Sequence, residues 1–219
     1  MTRSSRNTIL NTLESTGVVA VIRADSPAQL VDVCRALRDG GVSASEITMT
    51  TPGALDVIAA AADQLGDSYE IGVGSVLDPE TARSAILAGA QYVVSPTTNP
   101  AVIEMAHRYG KPVIPGALTP TEILAAWQAG ADLVKVFPAN HFGPRYFGDL
   151  LAPMPQLRLT PTGGIDLENA SDWIRAGATC LGIGSALVKK DLIRANDWSG
   201  LTRLARKFID IVREARGRS

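Results

Sequence analysis

A single rhythm constrains what this chain can become. Short β-branched runs recur eight times, at Val18–Arg23, Glu46–Thr50, Ile71–Val76, Tyr92–Ser95, Pro112–Pro115, Leu133–Phe137, Leu157–Thr160 and Cys180–Ser185. Ala- and Leu-rich stretches of helical spacing fill the intervals, as in Leu30, Val31, Cys34 and Leu37, or Ile123, Leu124 and Trp127. The runs end near residues 23, 50, 76, 96, 116, 138, 163 and 184, 20–27 residues apart, the length of one strand, turn, helix and turn. Glycine punctuates the helix exits in Asp39-Gly-Gly-Val42, Ala88-Gly-Ala90, Ala129-Gly-Ala131 and Ala176-Gly-Ala178, where a left-handed residue stops a helix before the next strand. Eight such units without a linker predict one domain over residues 1–219, an α/β fold built as a single (β/α)8 TIM barrel. An open doubly wound sheet is the alternative. Ser4–Ser15 predicts an extra N-terminal helix. The last helix carries an apolar stripe of Leu201, Leu204, Ala205, Phe208 and Val212, with Arg203, Arg206, Lys207, Arg213 and Arg216 read as its solvated face.

Composition narrows the partners. With 46% hydrophobic residues among 219, the chain can bury a sizeable core. Its 21 Lys and Arg against 22 Asp and Glu give a net charge of −1, which supplies no whole-chain attraction for nucleic acid or an anionic membrane surface. No run reaches the roughly 20 apolar residues of a membrane span, and the opening residues show no apolar signal region. Cys34 and Cys180 form neither a disulfide framework nor a zinc spacing. A cytoplasmic protein is expected, with no nucleic-acid or membrane partner.

Charges fall where a core should be. Strand side chains alternate, so Val134 and Val136 point toward the helices while Leu133, Lys135 and Phe137 point inward. The same alternation sends Glu46, Thr48 and Thr50 inward, away from Ile47 and Met49, and groups Arg23 with Val19 and Val21. A buried amine beside an acid is a candidate imine-forming nucleophile with its proton carrier. Desolvation and a nearby guanidinium disfavour an ammonium while a carboxylate favours it, and the sequence leaves that balance open. A purely structural Glu–Lys or Glu–Arg pair would give the same pattern.

A second cluster suits an anion. Thr162-Gly-Gly-Ile165 and Gly182-Ile-Gly-Ser185 place glycines at the ends of the seventh and eighth runs, where barrel loops gather backbone N–H groups around phosphate. Gly163, Gly164 and Ser185 are the anion-binding candidates, although tight turns alone could use the same glycines. No Walker sequence is present, and Gly72-Val-Gly-Ser lacks the third glycine of a dinucleotide fingerprint. Neither His107 nor His141 has metal-ligand neighbours at ligand spacing, so no metal site is expected.

Taken in order, Arg23, Glu46-Ile-Thr-Met-Thr-Thr-Pro52, Gly72-Val-Gly-Ser-Val76, Val94-Ser-Pro96, Ile114-Pro-Gly116, Val134-Lys-Val-Phe-Pro138 and Pro161-Thr-Gly-Gly-Ile165 resemble the bacterial 2-keto-3-deoxy-6-phosphogluconate aldolases and their 6-phosphogalactonate and 4-hydroxy-2-oxoglutarate relatives. The likeness runs from about Gly17 to about Val188. It implies a class I aldolase that needs no metal or cofactor, takes a small keto-acid phosphate and assembles as a homotrimer. It further implies Lys135 as the Schiff-base lysine and Glu46 as the general acid/base. Ser75, where the family often has Thr, falls to the keto-acid carboxylate. Thr162, Gly163, Gly164, Gly184 and Ser185 fall to the phosphate end, and Pro96 and Phe137 to the pocket walls. Many members carry Arg where this chain has Thr50, so the contact made by that Arg does not transfer. Arg23 matches a branch with Arg at the end of strand one. Two other classes share parts of the pattern: a phosphosugar isomerase or epimerase, which needs no imine, and a non-catalytic phosphosugar-binding module, which has no use for Lys135 and Glu46 together.

Overall fold

The computed structural model describes residues 5–24 and 28–217. The strands are β1 (Val18–Ile22), β2 (Ala44–Thr48), β3 (Glu70–Gly74), β4 (Tyr92–Val94), β5 (Val113–Ile114), β6 (Gly116–Ala117), β7 (Val134–Val136), β8 (Leu159–Pro161) and β9 (Leu181–Ile183). All pairings are parallel, in the orders β5-β4-β3-β2-β1-β9 and β6-β7-β8. Every expected run contains a strand. The fifth is split because Pro115, which has no N–H to give a neighbour, stands between β5 and β6. The two sheet pieces meet again at the other side, where Thr162 bridges Gly182 and the Thr179 N–H donates to the Leu159 carbonyl at 2.8 Å. The parallel sheet therefore curls.

Helices α1 (Arg6–Thr16), α2 (Leu30–Asp39), α3 (Ala54–Leu65), α4 (Pro79–Ala88), α5 (Pro100–Arg108), α6 (Pro120–Gln128), α7 (Arg145–Leu151), α8 (Ala170–Arg175), α9 (Lys190–Arg194) and α10 (Trp198–Gly217) alternate with the strands. Three start alike: Asp78, Asn99 and Thr119 each accept a backbone N–H of the first turn, and a proline follows where no donor is needed. The exit glycines behave as expected, with Gly41, Gly89, Gly130 and Gly177 all at positive φ. None of the described helices is long and apolar enough to cross a membrane.

Alternation sorts the buried residues into two apolar layers. Ile22, Ile47, Val73, Val134, Val136 and Ile183 pack outward against the helices. Val19, Ala44, Tyr92, Val94, Ile114, Leu133 and Cys180 pack inside the curl with Ile9, Leu10 and Leu13 of α1. The expected N-terminal helix is thus a plug across the N-terminal ends of the strands. It begins at Arg6 with Ser5 as its cap, and Ser4 lies outside the described residues. Arg216 corrects the reading of α10: its guanidinium is not on a solvated face but donates to the carbonyls of Glu14, Ser15 and Thr179, closing the C-terminal end of α1.

Candidate active site

Lys135 is the middle residue of β7, so its amine leaves the strand on the face opposite Val134 and Val136. Glu46 is the middle residue of β2 and points inward with Ala44. The strands belong to different sheet pieces, yet the curl brings Lys135 Nζ within 3.6 Å of Glu46 Oε1, with side chains 8% and 3% exposed. Phe137 places its ring over the amine, with Nζ 5.3 Å from the centroid. An acid and an amine shielded from water can exchange protons with a bound carbonyl compound.

The glycines of Gly72-Val-Gly-Ser explain how the acid is seated. A Cβ on Gly74 would lie 2.8 Å from Glu46 Oε1, and one on Gly72 would lie 2.3 Å from the ring of Tyr92. Bare backbone on the inner face of β3 therefore admits the carboxylate and the aromatic ring side by side. Glu46 Oε1 and the Tyr92 hydroxyl are both buried without a hydrogen-bond partner among the described residues. Burial, with the Glu46 carboxylate as the next cause, holds the Tyr92 phenol well above its usual range. Immediately after β3, Ser75 has a φ of 61°, a left-handed conformation unusual for a residue with a side chain and a common feature of functional turns.

The remaining candidates cluster at one edge. Ser75, Phe137, Thr162 and Gly184 each directly follow a strand, and Thr50, Pro96 and Ser185 stand two residues past one. All lie at the C-terminal ends of the strands, opposite the α1 plug. A cavity of about 720 Å³ gathers Arg23, Thr162, Gly163, Gly164, Gly184 and Ser185. Gly163 and Gly164 both have positive φ, at 100° and 73°, and the Gly164 carbonyl accepts from Asn169 Nδ2 at 2.8 Å, which fixes the turn. Nothing stands within 4 Å of where a Gly184 Cβ would be, so that side of the cavity is open.

Not every expected side chain joins that cavity. Pro96 and Phe137 line a separate one of about 500 Å³ with Gly116 and Glu122. Thr50 lines neither; its hydroxyl bonds that of Thr48 at 2.9 Å and is exposed. Arg23 departs from the expected inward charge. β1 ends at Ile22, so Arg23 is exposed on the rim instead of buried beside Lys135. Several neighbours were beyond sequence reasoning. The Thr51 hydroxyl accepts from the Ala24 N–H at 3.3 Å, tying the residue after Arg23 to the end of β2. Asn140 packs against Gly164, and Lys189 and Lys190 add cationic side chains to the 720 Å³ cavity. Only the two lysines had a visible signal, as adjacent charges shortly after the eighth run. His141 sits exposed in a short turn, Ala139–His141.

A buried lysine–glutamate pair inside a curled parallel sheet, with glycine-rich turns at the same strand ends, is an arrangement that an imine-forming α/β lyase can use. A family model described as KDPG and KHG aldolase matches residues 9–204. The 2-dehydro-3-deoxy-phosphogluconate aldolase of Treponema pallidum is 37% identical, with 94% of this chain and 98% of that protein covered. The 2-dehydro-3-deoxy-6-phosphogalactonate aldolase of Escherichia coli K12 is 36% identical over 90% of this chain and 95% of that one. The solved KDPG aldolase of Legionella pneumophila, with pyruvate captured as a covalent carbinolamine, superposes with a TM-score of 0.84 at 26% identity, covering 90% and 96% of the two chains. The chain belongs to the KDPG and KHG aldolase family and is an aldolase, a carbon–carbon lyase.

Proposed function

We propose that this aldolase reversibly cleaves 2-keto-3-deoxy-6-phosphogluconate to pyruvate and glyceraldehyde 3-phosphate through a Schiff base on Lys135. The observation that carries the reading is the 3.6 Å approach of Lys135 Nζ to Glu46 Oε1 in a site screened from water. The amine adds to the C2 ketone, and loss of water from the carbinolamine gives an iminium. Glu46 takes the C4 hydroxyl proton as the C3–C4 bond breaks; the aldehyde leaves and the electron pair enters the iminium to form an enamine. Glu46 returns the proton to C3, and water releases pyruvate and the free amine.

In this reading Arg23 and the Ser75 hydroxyl hold the carboxylate, and Thr50 stands in the substrate's path at the end of β2. Pro96 and Phe137 wall the pocket, with Phe137 shielding the imine. Thr162, Gly163, Gly164, Gly184 and Ser185 hold the phosphate, whose binding energy helps orient the reacting carbon. The positive φ of Gly163 and Gly164 and the open space at Gly184 support that last assignment. We further propose that the curled sheet closes as a (β/α)8 barrel, supported by the Thr162–Gly182 bridge, and that the enzyme is a cytoplasmic homotrimer, as the family resemblance implies. The 6-phosphogalactonate epimer is the second reading, favoured by the Escherichia coli relative. Borohydride reduction in the presence of pyruvate should add a mass to Lys135. Side-by-side retro-aldol assays on the gluconate, galactonate and hydroxyoxoglutarate substrates should rank the gluconate first. A wild-type enzyme with no adduct and no carbon–carbon cleavage would overturn the reading.

A further inference from the structure

The inner face of β3 carries no side chain at Gly72 or Gly74, and the two residues that fill the space come from its neighbours on either side, β2 and β4. The atom of the Tyr92 ring nearest Gly72 is Cζ, the carbon that bears the hydroxyl, 2.3 Å from where a Cβ would stand. Glu46 Oε1 occupies the corresponding place over Gly74 at 2.8 Å. Two residues along one face of a strand are separated by roughly 6–7 Å. Two hydrogen bonds through one water span about 5.6 Å, so a hydroxyl and a carboxylate oxygen seated over successive residues of one face are within the reach of a single water. Both atoms are buried, neither has a hydrogen-bond partner among the described residues, with the Lys135 amine 3.6 Å from Oε1, and the residues that carry them are 0% and 3% exposed. A buried polar atom without a partner is costly, and a shared water is the ordinary way such atoms are satisfied.

We propose that Tyr92 is a positioning residue for Glu46: its hydroxyl, through one buried water, holds Oε1 and orients the carboxylate that moves the C4 and C3 protons. The inference rests on the reading of Glu46 as general acid/base. The direction of donation follows from the surroundings. Burial keeps the phenol protonated far beyond neutral pH, so it donates to the water, and the water donates to the carboxylate. The titratable groups that face Glu46 are Lys135 from β7, Tyr92 from β4 and Cys180 just before β9. The Cys180 thiol, pushed up to about 11 by burial, is neutral at working pH, and Tyr69 and Glu70 also act on Tyr92. The Cys180 thiol donates to the Thr160 hydroxyl at 3.4 Å, which leaves the Tyr92 hydroxyl as the uncharged donor among these groups that can support the carboxylate.

The test is Tyr92→Phe, which keeps the ring against Gly72 and deletes only the hydroxyl. Loss of the donor should lower kcat about 5- to 10-fold and move the acidic limb of the kcat/KM profile to higher pH, since the carboxylate is less supported. Borohydride trapping of pyruvate on Lys135 should persist. A double-mutant cycle adds specificity: in a Glu46→Gln background, Tyr92→Phe should change kcat by less than about 2-fold. Wild-type kcat and an unmoved acidic limb in Tyr92→Phe would overturn the proposal. So would a fall in melting temperature with the pH profile unchanged, which makes the hydroxyl purely structural, or an equal loss of kcat in the Glu46→Gln background. Failure of the Schiff-base reading is separate, because it removes the adduct from the wild-type enzyme itself.

Discussion

Asp132 and Glu46 are both buried carboxylates at the sheet, yet they sit at its opposite ends and are treated in opposite ways. Asp132 immediately precedes Leu133, at the end covered by α1. It accepts Arg6 Nε at 2.8 Å and the Val113 N–H at 2.8 Å, with His107 Nε2 at 3.3 Å. Further ties to α1 come from the Arg158–Glu14 ion pair and from Arg216. Glu46 Oε1 has its amine partner at 3.6 Å, beyond hydrogen-bond distance, and no hydrogen-bond partner among the described residues. At the α1 end Asp132 has three donors around it and α1 is tied to the sheet by two arginines, which is what a closure needs. The other end leaves an acid, an amine and bare backbone under-committed, as a site that must bind and release a substrate requires.

The comparison breaks most visibly at Lys135. Lys135→Ala should lower turnover by at least about 10⁴-fold and abolish the borohydride adduct, because the proposed reaction forms its covalent bond at this amine. Glu46→Gln should slow turnover by about 10²–10⁴-fold while the adduct still forms, read by mass spectrometry of the trapped enzyme. Residual full activity in either variant would dissolve the distinction between the two ends.

Asp132→Ala should have the reverse signature. Deleting a buried acid that answers a backbone N–H and a partly exposed arginine should cost about 2–4 kcal/mol. The melting temperature should fall by about 5–15 °C for a chain of this length. Turnover per folded molecule at 25 °C should change by less than about 2-fold; a collapse of activity without a loss of stability would mean that the closed end takes part in the chemistry.

The two β3 glycines sharpen the contrast within a single strand. Gly74→Ala should displace the carboxylate of Glu46 and lower kcat about 10-fold or more, with a smaller effect on melting. Gly72→Ala should force the buried Tyr92 ring to move and cost about 1–3 kcal/mol, measured by denaturant unfolding.

The smallest effect concerns the two thiols, Cys34 under the helices and Cys180 inside the sheet, both pushed up by burial from 9.0 to about 11. Each folded thiol keeps its proton where the unfolded chain would lose it. That contribution is therefore fully present below pH 9 and is lost as the pH rises toward 11. Between pH 8 and 9.5 each should remove less than about 1 kcal/mol, and the double variant Cys34→Ala/Cys180→Ala should flatten the slope in urea titrations. Neither thiol should react with a maleimide in the native protein at pH 7.

Much of this was legible in the chain. Period-2 alternation around Lys135 and Glu46 assigned their faces, and the two apolar layers bear it out, with Val134 and Val136 outside and Leu133 inside. Alternation kept Arg23 on the side of Val21, with which it lines the 720 Å³ cavity, but it says nothing of where a strand stops, and Arg23 is exposed past the end of β1. Arg216 was misread for a related reason: the carbonyls it serves lie 37 to 202 residues earlier in the chain, and charge pattern along one helix cannot reveal them. The seating of Glu46 against Gly74, the pairing of Arg6 with Asp132 and the gathering of Arg23 with the Gly163–Gly164 turn likewise join distant segments.

The sequence alone determined the repeat, the face on which each strand residue lies, the identity of the family and the residue types available for imine chemistry. Those properties follow from local geometry, since a strand alternates and a helix turns whatever surrounds them. Tertiary structure decided which charges meet, which are matched and which are left poised. Such outcomes depend on the curl of the sheet, which brings the side chains of Glu46 on β2 and Lys135 on β7 to 3.6 Å of each other while α1 covers the opposite end.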